Sequence, residues 1–160
     1  MADDLIIQTA DAIKAVIGSQ NWGFDFALDR SYVDIDADLD ELDRARVDVA
    51  IPEDLDAFEL DSQADEKATV TYEVAIRKRF DLSQQDNAAG GLRRSEVDRL
   101  VNLTLSMMRY FTADRFANLD ANVAWTATNL AQLYDRSALR ERHTFVGIIE
   151  LTFEISQTRS

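Results

Sequence analysis

The alternation of apolar and polar residues is clearest near the end of the chain, in residues 144–156 (TFVGIIELTFEIS). One set of alternating positions carries Phe145, Gly147, Ile149, Leu151, Phe153 and Ile155, and the other carries Thr144, Val146, Ile148, Glu150, Thr152 and Glu154. A period of two predicts a β-strand with one buried face. Because Val146 and Ile148 make the second face apolar at the start of the strand, we expect that end to be covered on both sides.

Three earlier segments also have strand character. They are residues 24–35, residues 47–51, and residues 68–80, in which Val70, Tyr72, Val74 and Ile76 share one face. The second of these ends at the only proline, Pro52, and is expected to pair with the third as a long hairpin. Residues 123–127 predict a further strand. The acidic residues 53–68 and the polar residues 81–94 lack such periodicity and are predicted to be flexible loops.

Helical periodicity occurs in two longer segments. In residues 3–19, Ile6, Ala10, Ile13 and Ile17 recur every three or four positions, which predicts an amphipathic helix. A second helix is expected to begin with Ser95 as its N-cap and to continue to Phe111, with its apolar face on the sheet. A short helix should begin at Asp135 or Ser137.

These elements predict one α+β domain over residues 1–160. Its sheet should be mostly antiparallel, with four to five strands and a long β-hairpin. The N-terminal helix and the long central helix are expected to cover the sheet.

Charge is distributed unevenly in this acidic chain, whose net charge is −13. The first 66 residues contain 19 acidic and four basic residues, whereas the remaining part contains 11 acidic and 13 basic residues. The net charge argues against a nucleic acid partner that is bound through its phosphates, because such binding depends on clustered Lys and Arg. The asymmetry is explained either by a solvated acidic surface or by an acidic surface of one subunit facing a basic surface of another. The second arrangement is a heterologous contact, which can close a ring.

Signatures of catalysis or cofactor binding are weak. The chain has no cysteine, and its one histidine, His143, has no neighbours at a metal-site or triad spacing. Glu150 and Glu154 share a face of the last strand but stand about 13 Å apart, too far to share a proton. We therefore predict a protein that is not an enzyme, with no catalytic residue, no cofactor and no metal.

One acidic segment and one glycine-containing segment could be interpreted as sites for calcium and for phosphate, respectively. The acidic run at residues 34–43 suggests an EF-hand, but Leu39 stands where the calcium loop needs Gly, and Ala45 stands where it needs Glu. The pair Gly90 and Gly91 lacks the remaining residues of a phosphate-binding loop. An acidic turn and a mobile loop with a basic exit are the predicted structures.

The first residues, MADDLIIQ, are acidic, and no apolar run approaches the roughly 18 to 20 residues that span a membrane. We therefore expect a cytoplasmic protein without a membrane partner.

The order of these elements, together with several apolar patterns, resembles the tail terminator and tail completion proteins of long-tailed bacteriophages. The resemblance is carried by residues 47–52 (VDVAIP), 72–79, 97–101 (VDRLV) and 133–135 (LYD), with Leu139, Phe145, Leu151 and Phe153. It covers most of the chain. These are patterns of apolar and turn residues, and no catalytic motif is among them.

The resemblance implies a structural virion protein. Such a subunit forms a ring, commonly a homohexamer, that caps the tail tube and joins the tail to the head connector. The implied partners are other copies of the chain, the tail tube protein, and head connector or neck proteins, while genome DNA passes through without sequence-specific binding. The implied location is the virion tail or neck, after assembly in the host cytoplasm.

Six residues are candidates for contacts in such an assembly. Arg77, Arg79, Arg93 and Arg94 would meet acidic groups of a neighbouring subunit or of the tube, although solvated edge-strand charges explain them equally well. Val146 and Ile148 would face a neighbouring subunit. Two other functions fit the sequence: a neck protein between connector and terminator, and an acidic inhibitor or nucleic-acid mimic that occupies the basic groove of an enzyme.

Overall fold

A computed structural model describes residues 2–32, 44–60, 65–80, 91–117 and 119–158 of the chain. The described elements are, in chain order, α1 (Ala2–Gly18), β1 (Ala27–Tyr32), β2 (Arg46–Ile51), β3 (Ala57–Leu60), β4 (Asp65–Arg79), α2 (Gly91–Tyr110), β5 (Val123–Gln132), α3 (Arg136–Glu141) and β6 (Thr144–Thr158). The predicted α+β class is confirmed. The acidic run at residues 34–43 and the loop at residues 81–90 lie outside the described residues.

The described strands form one mixed sheet in the order β1-β2-β4-β6-β5, and β3 pairs with β4 beside this path. β1 and β2 are parallel, while the other four pairings are antiparallel. The predicted mostly antiparallel character is compatible with this arrangement. β2 pairs antiparallel with β4 as expected, but β3 lies between them in the chain, so the two strands do not form the simple long hairpin that was predicted. Over the described residues the sheet has six strands, whereas four to five were predicted.

One face of the sheet carries the core. The alternate residues of β4 and β6 that the period-2 pattern assigns to the core are all buried, among them Tyr72, Phe145 and Phe153. Both long helices lie on this covered face: the Tyr72 hydroxyl donates to the carbonyl oxygen of Ile6 in α1 at 2.7 Å, and Gly147 lies against Thr104 of α2. Each large apolar side chain buried here contributes roughly 1.5–3 kcal/mol to folding.

The helix α2 begins at Gly91, so the prediction that it begins with Ser95 as its N-cap is wrong. Leucine and arginine have high helix propensity, and the sequence Leu92-Arg93-Arg94 therefore extends the helix upstream of Ser95. Its buried residues are Leu100, Leu103, Thr104 and Met107, whereas Val97, Val101 and Met108 of the predicted face are only half-buried.

Residues 53–68 do not form a continuous loop as predicted. They contain strand β3 and the first residues of β4, which pair antiparallel with each other. β4 extends beyond the part of its edge that β2 covers, and the exposed backbone groups of this extension are satisfied by β3. Low hydrophobic periodicity did not indicate a strand because all four residues of β3 are exposed.

The connection from β5 to β6 follows the sequence prediction closely. Asp135 is the N-cap of α3, and its carboxylate accepts a hydrogen bond from the backbone N–H of Ala138 at 3.0 Å. His143 then adopts a left-handed conformation with φ 52°, and its carbonyl oxygen accepts from the N–H of Phe80 at 2.7 Å. The backbone of His143 thus joins the start of β6 to the end of β4.

Candidate interaction surfaces

The face of β4 and β6 that points away from α1 and α2, here called the second face, is half-buried and chemically mixed. Its residues are Thr69, Thr71, Glu73, Ala75 and Arg77 of β4, and Val146, Ile148, Glu150, Thr152 and Glu154 of β6. Neither of the two long helices covers it. A surface of this composition can contact another protein without exposing a large apolar area.

A buried carboxylate organises one end of the second face. Asp48 of β2 is 1% exposed and accepts from Arg46 Nε at 2.9 Å and from Arg77 Nη2 at 2.6 Å. Arg46 also lies 3.5 Å from Asp29 of the neighbouring strand β1. The charge of Arg77 is therefore already balanced within the subunit.

Four of the six predicted contact residues meet on this part of the second face. Arg77 stands opposite Val146 across the β4–β6 pair, Arg79 stands opposite Thr144, and Ile148 is opposite Ala75. Arg93 and Arg94 belong to the start of α2, on the other side of the sheet, and Arg94 is exposed. Their role in a contact between subunits stays a prediction.

Arginines and lysines collect where β4 ends and β6 begins. This basic end includes the run Arg77-Lys78-Arg79, and α3 with its C-cap residue leads directly into the same end. Lys78 Nζ lies 3.0 Å from the Glu96 carboxylate, which places the start of α2 there as well. The first half of α2, and α3 with its C-cap residue, contribute Arg93, Arg94, Arg99, Arg136, Arg140 and Arg142, with Glu96, Asp98 and Glu141 among them.

Acidic residues collect at the opposite end of the sheet, here called the acidic end. Asp65 and Glu66 begin β4, and Glu66 stands opposite Leu60 of β3, next to Glu59. Asp120 lies near this end, because its carbonyl oxygen accepts from the N–H of Val123, which stands opposite Ile155 of β6, the partner of Ala68 near the start of β4. Leu5 of α1 lines one small cavity with Asp120. The two ends are separated by the 15 residues of β4, about 46 Å.

A cross-strand pair of carboxylates lies between the two ends. Glu73 stands directly opposite Glu150, and Asn129 of β5 donates to Glu150 Oε1 at 3.0 Å. Burial, and secondarily the negative charge of Glu150, raise the pKa of Glu73 above its ordinary value. Among the described residues, no cluster of three or more acidic or histidine groups could hold a metal ion.

The sequence pattern relates Glu150 to Glu154 along one strand and does not indicate Glu73. The pairing of Glu73 with Glu150 depends on the register of two strands that are distant in sequence. An alternating pattern assigns each glutamate to a face but does not fix that register.

Comparison with known proteins gives no match to any family model and none to any curated protein sequence. Among the described helices, none is long and apolar enough to cross a membrane.

Proposed function

We propose that the chain is a structural virion protein of a long-tailed bacteriophage, whose copies form a ring that caps the tail tube and joins the tail to the head connector. The observation that best supports self-association is the polarity of the subunit, with a basic end and an acidic end. Opposite charges favour contacts between unlike surfaces and disfavour contacts between like surfaces. A contact between unlike surfaces is heterologous and can close into a ring.

The context of a phage tail comes from the resemblance of the sequence to tail terminators. The net charge is compatible with it, because a ring of subunits that each carry −13 offers no general trap for the phosphates of passing DNA. The apolar residues Val146 and Ile148, on the second face at the basic end, add a surface that a neighbouring subunit or the tube can cover.

Charge reversal tests the basic end, but Arg77 is a poor choice because its guanidinium holds the buried Asp48. Arg94→Glu combined with Arg140→Glu changes two exposed residues of the basic end instead. Arg109→Glu, at the exposed C-terminal turn of α2, is the matched control.

The experiment mixes each purified variant with polymerising tail tube protein and images the tubes by negative-stain electron microscopy. Wild-type protein and Arg109→Glu should bind one end of the tube and stop its elongation, and the double reversal should weaken both effects at least several-fold. Elongation that is unchanged by wild-type protein would contradict the proposed function. Genes for a tail tube, a tape measure and a head connector should also lie beside this gene.

The acidic end favours one further candidate, an acidic inhibitor that occupies the basic groove of an enzyme. Such an inhibitor is expected to be a monomer or dimer, whereas the ring subunit is expected to form a larger oligomer. Size-exclusion chromatography with light scattering separates the two.

A further inference from the structure

Strand β5 is an edge of the described sheet that lacks protection by charged side chains or proline, although two register irregularities interrupt it. Residues 121–134, which contain it, carry neither a charge nor a proline, and the only strand that pairs with the described β5 is β6. Natural sheets commonly protect such edges with charges or proline, because the outer backbone groups can accept another strand. The opposite outer strand, β1, follows that rule: its residues Asp29 and Arg30 form ion pairs with Arg46 and Asp11.

Two irregularities divide β5 and leave a short regular stretch. The register shifts between Trp125 and Ala127 and again between Leu130 and Gln132. Between these shifts, residues 127–130 pair regularly with β6. The regular stretch is therefore four residues long.

Strand β3 is also four residues long, and β4 is its only strand partner in the described sheet. Phe58 and Leu60 of β3 are 51% and 56% exposed, although both lie on the covered face of the sheet, since Phe58 stands opposite the buried Ala68. These two side chains extend the apolar face beyond the part that the helices cover.

The apolar faces of the two strands match. Leu130 and Trp125 of β5 stand opposite the buried Ile149 and Phe153, so they too lie on the covered face, and both are only half-buried. If β3 of another copy added to β5 with the covered faces aligned, its Phe58 and Leu60 could pack on these side chains.

We propose that β3 of a second copy of the chain pairs with residues 127–130 of β5, so that the sheet continues from one subunit into the next. A second copy is the partner that fits, because this chain carries both edges, and the four residues of β3 match the regular stretch of β5 in length and in the position of their apolar face. The inference rests on the proposed function, since a contact between two different edges is heterologous and repeats around a ring.

The absence of cysteine allows a direct test by engineered disulfides. Ala57 and Ala127 both lie on the second face, opposite Thr69 and Thr152, as does Asn129, opposite Glu150. Oxidation of the double variants A57C/A127C and A57C/N129C, which sample two registers, should give in at least one of them a ladder of covalent multimers that ends at the ring size. The single variants A57C and A127C should stay monomeric on the denaturing gel.

Each other outcome overturns the inference. Covalent dimers from A127C alone would show β5 pairing with itself about a two-fold axis. No ladder from either double variant, while light scattering shows an oligomer, would place the ring contact elsewhere and leave the proposed function intact. A wild-type chain that stays monomeric, together with no ladder from the double variants, would contradict both the pairing of β3 with β5 and the proposed function.

A second variant tests the apolar part of the contact without engineered bonds. Phe58→Asp should lower the oligomer mass and leave the circular dichroism spectrum unchanged, because the side chain is mostly exposed within the subunit. Ile7→Asp, at an exposed position on α1, is the control and should leave the mass unchanged. An intact oligomer of Phe58→Asp would contradict the pairing of β3 with β5.

Discussion

The covered face and the second face of the sheet are held together by different interactions. On the covered face, Tyr72 and Phe153 are fully buried and meet edge to face, with ring centroids 5.6 Å apart. On the second face, polar groups meet across strands: Asp48 lies between two arginines, and the hydroxyls of Thr71 and Thr152 are 2.9 Å apart. The first face depends on close apolar packing, whereas the second depends on which charges the strand register brings together.

The largest effect is expected from the buried carboxylate of the second face. Asp48→Ala leaves Arg46 and Arg77 without their common partner and should lower the free energy of unfolding by about 3 kcal/mol. Asp29→Ala is the matched control: its side chain is 57% exposed and lies 3.5 Å from Arg46, so the loss should stay below about 1 kcal/mol. Urea denaturation measures both. Equal losses would show that Asp48 does not organise this face.

The covered face should respond next, through its close packing. A Cβ atom added at Gly147 would lie 2.9 Å from Thr104 Oγ1 and 3.2 Å from Thr104 Cγ2, so Gly147→Ala should destabilise the fold by about 2 kcal/mol.

Thr104→Ala in the same chain removes both of those atoms. The double variant should therefore lose less stability than the sum of the two single variants, as measured by thermal unfolding. Additive losses would mean that α2 does not limit the space at Gly147.

The smallest effect concerns Glu73 and has the opposite sign. The pKa of Glu73 is raised in the folded chain, so the native state binds this proton more readily than the unfolded state. The contribution of the site to stability is therefore greatest at low pH and is lost as the pH rises through the folded pKa. Above the folded pKa, the ionised Glu73 opposes folding.

Glu73→Gln should accordingly raise the free energy of unfolding at high pH by at most about 1 kcal/mol, the range for like charges opposite each other on paired strands, and the gain should shrink as the pH falls and Glu73 takes up its proton. Glu154→Gln is the control, and no gain is expected because Glu154 pairs with Lys67 at 2.9 Å. Urea titrations at several pH values measure both variants. If the stability gained by Glu73→Gln did not depend on pH, proton binding by Glu73 would not be its cause, and the prediction would be contradicted.

The same contrast explains how far the sequence could predict the structure. The covered face was predictable residue by residue, because burial imposes a period of two on β4 and β6. The Asp48 cluster and the Glu73–Glu150 pair could not be predicted, because they depend on the register of strands that are distant in sequence. β3 was missed because backbone pairing with β4, and not apolar burial, holds it in place.

The candidate surfaces were predicted in part. The charge asymmetry along the sequence allowed either a solvated acidic surface or two unlike surfaces. Only the antiparallel pairing of β4 with β6 shows that Arg77, Lys78 and Arg79 lie at the end of the sheet where β6 begins. Arg77 and Val146 were expected to face a partner, and they do share one end of the second face. The sequence did not indicate that Arg77 has an ion-pair partner within its own chain.

The central claim is that copies of this chain associate through unlike surfaces into a ring, and native mass spectrometry tests it most directly. We expect the wild-type chain to give one oligomer larger than a dimer, with six copies as the number that the resemblance implies. Ile148→Asp, on the second face, should reduce the oligomer mass more than it reduces the circular dichroism signal. A wild-type chain that is monomeric or dimeric at every concentration would contradict the claim.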